Sequence, residues 1–421
     1  MEHLLTRRID HSPTHHLLAV IPLALAMAID VQAQDDREPP RPVGGSIPAR
    51  ILDQDLNEHP ADPIVIDATK IIGWDHPGGI PKALPIDSAL TVMVGPATER
   101  SSTPEWRFIR KRAGDQDELR GPYIRFVDGQ LIPGSLFADG TTPRWRNAWL
   151  HDLPIDLDRI SEMRLIDGAE IPLVEDVDEV ILANGDRIRG LIESIGADLV
   201  IDRMKETGPS LARIPLDRVA SFAMVNPNEA PQGMNVWFLG GHRIAGAGIR
   251  IGDDGYVRID QPVLGGDMAE VPLEFLRGIV FNAENVIPLA SIPVTIDAGV
   301  AAWLRPWIPE PTISLGNWPL DAAPIRLDGP LLATWQLPVA GCTLRAIVEL
   351  PIDSTRGRFD LIIRDDQREI LRVSINPENP VEEIMVPFTS DRLSIEIEMG
   401  DDGPFMDVAT LREAIIIRPR N

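Results

Sequence analysis

Three glycine-centred octets stand in one register along this chain. Val127–Gly134 reads VDGQLIPG, Ala183–Gly190 reads ANGDRIRG and Leu239–Gly246 reads LGGHRIAG. Gly129, Gly185 and Gly241 are 56 residues apart, as are Gly134, Gly190 and Gly246, with Ile132, Ile188 and Ile244 at a shared position between them. The dipeptides Asp128-Gly129, Asn184-Gly185 and Gly240-Gly241 tolerate positive φ at both central positions of a type I′ turn, so each octet reads as a hairpin tip. The segments entering the tips place Ile124/Phe126, Val180/Leu182 and Val236/Phe238 on alternate sites, as a strand with one buried face requires.

The rest of each unit repeats as well. Leu157-Asp158-Arg159-Ile160 aligns with Leu216-Asp217-Arg218-Val219 and Leu273-Glu274-Phe275-Leu276, and in each unit a proline (Pro172, Pro231, Pro288) follows the leucine by 15 residues. Five short strands in about 50 residues fit a small, partly closed barrel, because closure removes sheet edges. Repeats are expected over 121–175, 176–233 and 234–290. Their pattern resembles SH3-like or Sm-like small barrels, and tandem units with such hairpins resemble those of secreted bacterial, especially planctomycete, proteins. The turn glycines and the Pro-Leu-Asp-Arg step are read as backbone geometry, with no functional role. Ahead of them, 49–120 reads as an irregular β-rich segment packed on the first barrel. Its Trp106–Arg112 stretch (WRFIRKR) is read as internal charge balance, and Trp145 and Trp149 as core.

Leu17–Ile29 is a charge-free apolar run of 13 residues. It is short for a span of about 20 and followed by the small-x-small site Val31-Gln32-Ala33. Residues 1–33 are therefore expected to be a signal peptide, with a retained anchor as the alternative. The Pro/Gly-rich stretch 34–48 is expected to be a flexible linker, leaving a periplasmic or extracellular chain with no membrane span after leader removal. The formal charge of −24 argues against nucleic acid as a partner. Cys342 is the sole cysteine, which excludes an intramolecular disulfide and a Cys-based zinc site.

Prolines at 293, 306, 309, 311 and 319 mark 291–311 as an interdomain linker. Beyond it, strands are expected at 343–350, 358–364, 369–375, 383–387, 393–399 and 414–418, an antiparallel β-sandwich over 312–421. The expected fold class is thus all-β: tandem small barrel-like repeats followed by a C-terminal sandwich. Arg356–Ile370 (RGRFDLIIRDDQREI), Pro380–Val386 and Leu393–Asp407 (LSIEIEMGDDGPFMD), with Leu411 and Ala414, resemble the NPCBM module, a galactose-binding-like jelly roll of glycoside hydrolases and planctomycete secreted proteins. The resemblance implies an acidic turn, met by Asp365-Asp366, and an aspartate after a Gly/Asp-rich loop, met by Asp407. The family's Gly-x-Gly-x-His stretch has no counterpart in 327–341, and Leu411 stands where tryptophan is common.

Carbohydrate-binding candidates are Trp318 and Trp335, as stacking platforms or buried anchors, with Asp365 and Asp366. Asp401, Asp402 and Asp407 are either calcium ligands or a solvated turn; calcium is the only cofactor considered. No G-x-S-x-G, H-E-x-x-H or P-loop pattern occurs in the sequence. The function expected is therefore an exported, non-catalytic binding or scaffolding protein whose partner is a glycan or an envelope protein. A ligand-free envelope component and a secreted glycan hydrolase using two carboxylates are the alternatives.

Overall fold

A computed structural model describes residues 49–61, 64–74, 81–94, 121–138, 143–205, 208–252, 254–262, 264, 268–297, 309–314, 318–352, 354, 356–400, 403 and 406–419, all within one contact-defined unit spanning 42–421. The expected leader, the linker at 34–48, Trp106–Arg112, Asp401 and Asp402 lie outside these residues. The chain is all-β, built of several antiparallel sheets, and among the described residues the only helices are three-residue 3-10 turns.

The three hairpin tips share one hydrogen-bonding scheme. Phe126 N donates to Gln130 O at 2.8 Å, Leu182 N to Asp186 O at 2.8 Å and Phe238 N to His242 O at 2.9 Å. The expected type I′ geometry is absent from the first two. Gly129 (φ 80°) and Gly185 (φ 87°) are left-handed, whereas Asp128 and Asn184 are not. Each is a three-residue loop ending in one left-handed glycine, so a single residue bears the demand for positive φ. In the third tip, both Gly240 and Gly241 have positive φ.

Residues 49–94 depart most from expectation, since they repeat the same construction. Asp53 N donates to Asn57 O at 3.0 Å and Leu56 N to Asp53 O at 3.0 Å, as Leu182 N does to Asp186 O and Gly185 N to Leu182 O. Leu56 occupies the glycine position with φ 67°. The strained turn is held by the Asp53 carboxylate, which accepts from the Asp55 and Asn57 amides at 2.9 and 2.8 Å and meets His59 Nε2 at 2.7 Å. Pro85, Pro215 and Pro272 precede equivalent 3-10 turns with near-identical φ and ψ, each leading into a closing strand. We call residues 49–94 the N-terminal unit.

The units join in pairs through equivalent residues. The closing strands of repeats 1 and 2 pair with Met163 opposite Phe222, and those of repeat 3 and the N-terminal unit with Ile279 opposite Val92. The two pairs are linked by Leu131 opposite Arg243, again equivalent positions. The N-terminal unit therefore rests on repeat 3, and not on repeat 1 as expected; Ile66 opposite Ile251 adds a further link. One apolar core runs through all four units, including Ile51, Val92, Ile132, Phe222 and Ile279.

Two sheets form the C-terminal sandwich. One orders Thr312–Ile313, Ile325–Asp328, Val408–Ile417, Thr343–Glu349 and Val381–Pro387, and the other Val294–Asp297, Leu331–Gln336, Arg392–Met399, Phe359–Asp365 and Arg368–Ile375. The expected linker at 291–311 is corrected at its start. Val294–Asp297 is a strand on Leu332–Trp335, and Val286–Pro288 pairs with Ile415–Ile417. Pro293 is compatible with this because it precedes an edge strand, where no ladder donor is lost.

The sandwich docks on the repeat 3 and N-terminal pair. A third apolar cluster spans the junction, with Leu52, Met93, Trp237 and Val280 from the barrels and Leu320, Ile415 and Ile417 from the sandwich side. Leu320 and Pro319 pack over Gly278, at van der Waals distance from a methyl placed there. At the positions equivalent to Trp237, Gly278 and Val280, the repeat 1 and 2 pair carries Arg125, Glu162 and Arg164, with Arg125 Nε on Glu162 at 2.7 Å. The repeat 1 half of that pair is therefore charged where the docked pair is apolar, while the equivalent residues of repeat 2, Ile181, Ser221 and Ala223, are buried, with Ser221 bonded to Glu170 O.

Candidate functional site

The sequence-derived site residues do not converge. Trp335 is 1% exposed in the sandwich core, so its ring cannot stack on a ligand; the stacking reading is corrected to the buried anchor. The alternation of Leu331–Gln336 turns Leu331, Ala333 and Trp335 inward together. Trp318 is half-buried and leads into the 3-10 turn Pro319–Asp321 at the module junction. Two successive left-handed residues there, Leu320 and Asp321, aim the Asp321 carboxylate at Trp237 Nε1 (3.1 Å) and Arg243 Nη1 (2.5 Å).

Asp365 is occupied by its own framework. Its carboxylate accepts from the backbone amides of Thr389 and Ser390 at 2.9 and 3.0 Å and from both hydroxyls. Burial pushes its pKa up, but these donors outweigh it and hold the group well below the usual carboxylate range. A carboxylate so engaged acts as a turn staple. Asp366, at φ 54°, lies exposed beside it, 3.8 Å from Arg392. Asp407 is 2% exposed and accepts from Arg358 N at 3.1 Å, anchoring the opposite end of the sandwich. Asp401 and Asp402, its proposed companions, lie outside the described residues, and among the described residues no group of three His, Cys, Asp or Glu side chains is placed to hold a metal.

Sequence reasoning missed a cleft of about 520 Å³ between the N-terminal unit and repeat 3. Gln54, Asp87, Asp260, Asn282 and Phe281 supply its polar groups and its aromatic ring. Gln54 Nε2 donates to Asp87 O at 2.5 Å, and Asp260 is paired with Arg250 at 2.5 Å. The two walls are fixed by Ile66 opposite Ile251 and Ile279 opposite Val92. The cleft was hidden because half its lining comes from a unit without the glycine signature.

A second cluster surrounds Trp149, whose ring centroid is 3.8 Å from His242, 5.5 Å from Phe238 and 5.6 Å from Phe275. His242 Nε2 meets Asn147 Nδ2 at 3.0 Å, and burial lowers the imidazole pKa to about 4, so it is neutral near pH 7. Trp145 is fully buried and donates from Nε1 to Ile132 O at 3.0 Å. This ties the first unit's core, against which Trp149 and Phe275 pack half-buried.

No family model matches the chain, and no curated protein matches it in sequence. Among solved structures, the CBM51 module from Clostridium perfringens GH95 in complex with methyl-galactose aligns at 10% identity over 31% of this chain and 99% of that one, with a TM-score of 0.26. The CBM51-2 and INT domains of Clostridium perfringens ZmpB align at 11% identity over 44% of this chain and 40% of that one, with a TM-score of 0.27. The tandem CBM51 modules of Sp3GH98 from Streptococcus pneumoniae SP3-BS71 align at 8% identity over 70% of this chain and 93% of that one, with a TM-score of 0.23.

Proposed function

We propose that the chain is an exported, non-catalytic binding protein for a neutral glycan, in which the barrel units and the sandwich form one rigid support. The observation that carries the reading is the cleft at the junction of the N-terminal unit and repeat 3. Its lining combines Asp87, Asp260 with its carboxylate held by Arg250 behind it, Gln54, Asn282 and Phe281. Carboxylate and amide groups engage vicinal hydroxyls, while a phenyl ring suits the apolar face of a pyranose. The volume accommodates one or two sugar rings, within the usual range for small-ligand sites of roughly 300–1,000 Å³. Trp335 is buried and Asp365 internally bonded, so binding through the sandwich would fall to the exposed Asp366 and the half-buried Trp318.

Export rests on the apolar run before Ala33 and places the protein in the periplasm or outside the cell. Among the described residues no helix is long and apolar enough to cross a membrane. A glycan-array screen of the purified full chain, followed by product analysis of each retained glycan, tests the reading. Binding without turnover is expected. Hydrolysis abolished by a single carboxylate substitution would overturn it.

A further inference from the structure

The junction between the sandwich and the N-terminal unit holds five charged side chains. Arg345, on Thr343–Glu349, is fully buried and donates from Nη2 to Glu58 and to Glu383 (2.7 Å), and from Nη1 to Glu413 (3.3 Å). Arg50, on Ala49–Asp53, places Nη2 3.0 and 2.9 Å from the two oxygens of Glu413 and Nη1 3.5 Å from Glu58. Arg50 and Glu58 belong to the barrel side, and Arg345, Glu383 and Glu413 to the sandwich. The pairs Arg345–Glu58 and Arg50–Glu413 therefore cross the junction in opposite directions.

Two guanidinium groups face three carboxylates, so the ring carries one negative charge more than it can neutralise. The surplus is localised. Glu58 and Glu383 compete for the same Arg345 nitrogen and stand within hydrogen-bonding reach of each other across the junction. Two ionised carboxylates repel at that separation, whereas one proton between them converts repulsion into a hydrogen bond.

Among the described residues Arg345 is the ion-pair partner of Glu383, with Arg50 acting on it from further away. Met93 places its sulfur 3.8 Å from Arg345 Nη1, Arg412 acts on Glu413 while paired with Glu349 at 2.9 Å, and His59 is turned to Asp53 at 2.7 Å.

We propose that this junction is a proton-operated latch: one proton taken up between Glu58 and Glu383 in mildly acidic solution tightens the sandwich on the barrels, and stronger acid releases it. The two stages follow from opposite environments. Burial raises the Glu383 pKa, opposed by Arg345 and supported by Glu58, so the closed junction binds that proton more tightly than the open one. The closed state gains as pH falls through the raised value toward the ordinary one. Burial also acts to raise Glu413, but Arg50, Arg345 and Arg412 outweigh it and leave its pKa lowered. Its contribution is present above the ordinary glutamate value and lost as pH falls through the lowered one.

Amide hydrogen exchange on the full chain, corrected for the intrinsic pH dependence of exchange, tests the latch at Ala49–Asp53, Glu58–Ala61 and Val381–Pro387. Opening of these strands should slow several-fold from neutral to mildly acidic pH and accelerate below the ordinary glutamate range. Each unit of raised pKa corresponds to about tenfold. Glu383→Gln, with Glu58→Gln as the second variant, should open as rarely at neutral pH as the wild type does in mild acid, without the first stage. His59→Gln should leave both stages intact. Opening that rises monotonically with acid in the wild type, faster neutral opening in both glutamine variants, or loss of the first stage in His59→Gln would overturn the proposal.

Discussion

The claim that residues 49–94 repeat the barrel construction makes an exchange of two residues informative. In repeats 2 and 3 one residue of the hairpin's return strand crosses the unit so closely that it must be glycine. A methyl at Gly190 would strike the Asp202 carbonyl oxygen, and one at Gly246 the Ile259 Cγ2. The register places Ala61 at this position in the N-terminal unit, since Ala49 faces Ala61 as Asp178 faces Gly190. The room for its methyl comes from the strand opposite, where Gly73 stands at the position of Ile201 and Ile259, and a methyl at Gly73 would stand 2.7 Å from Ala61 Cβ. Gly73→Ala alone should therefore overpack the crossing and cost roughly 1–3 kcal/mol. Ala61→Gly alone should cost about 0.5–1 kcal/mol through chain entropy and the lost methyl. The double variant restores the small-against-large arrangement of the other repeats, so its cost should fall below that of Gly73→Ala alone, a coupling on the order of 1 kcal/mol. Urea unfolding of the four proteins, followed by tryptophan fluorescence and by circular dichroism, measures this. Additive costs would refute the shared crossing.

Two further outcomes follow from the site residues. Trp335→Ala should cost roughly 3–5 kcal/mol of stability, read as a fall in thermal midpoint, with the glycan affinity of the folded protein unchanged. His242 is held near pKa 4 by burial while the unfolded imidazole binds its proton near 6.5, so the unfolded chain takes up more protons between these values and stability falls as pH falls through that window. His242→Gln should flatten this slope by up to about 3 kcal/mol between the two ends. A stability difference from wild type that does not change across the window would show that the imidazole is not desolvated.

Legibility in the sequence followed how each structural demand is met. Gly129, Gly185 and Gly241 were visible because positive φ selects for glycine, and their spacing exposed the repeats. The N-terminal unit was hidden because the same demand is met there by Leu56, with Asp53 hydrogen bonds offsetting the strain, and because Gly73 has taken over from the crossing glycine. The sandwich strands between 343 and 399 were placed to within two residues, whereas Ile325–Asp328 and Leu331–Gln336 were not foreseen, the last strand begins at Val408 and not at 414, and Val294–Asp297 was obscured by the prolines beside it. The cleft and the charged ring were not legible at all. Asp87 and Asp260, or Arg50 and Glu413, are far apart in the chain and ordinary in composition, and only strand pairing between units brings them together.

The central claim is that ligand occupies the cleft between the N-terminal unit and repeat 3. Hydrogen exchange of the full chain with and without a saturating glycan from the array tests it most directly. Binding in the cleft predicts slower exchange at 86–89, 247–249 and 281–282, with Phe281→Ala abolishing both the protection and the affinity. Protection confined to the sandwich turn around Asp366 and 389–392, with the cleft unchanged, would contradict it.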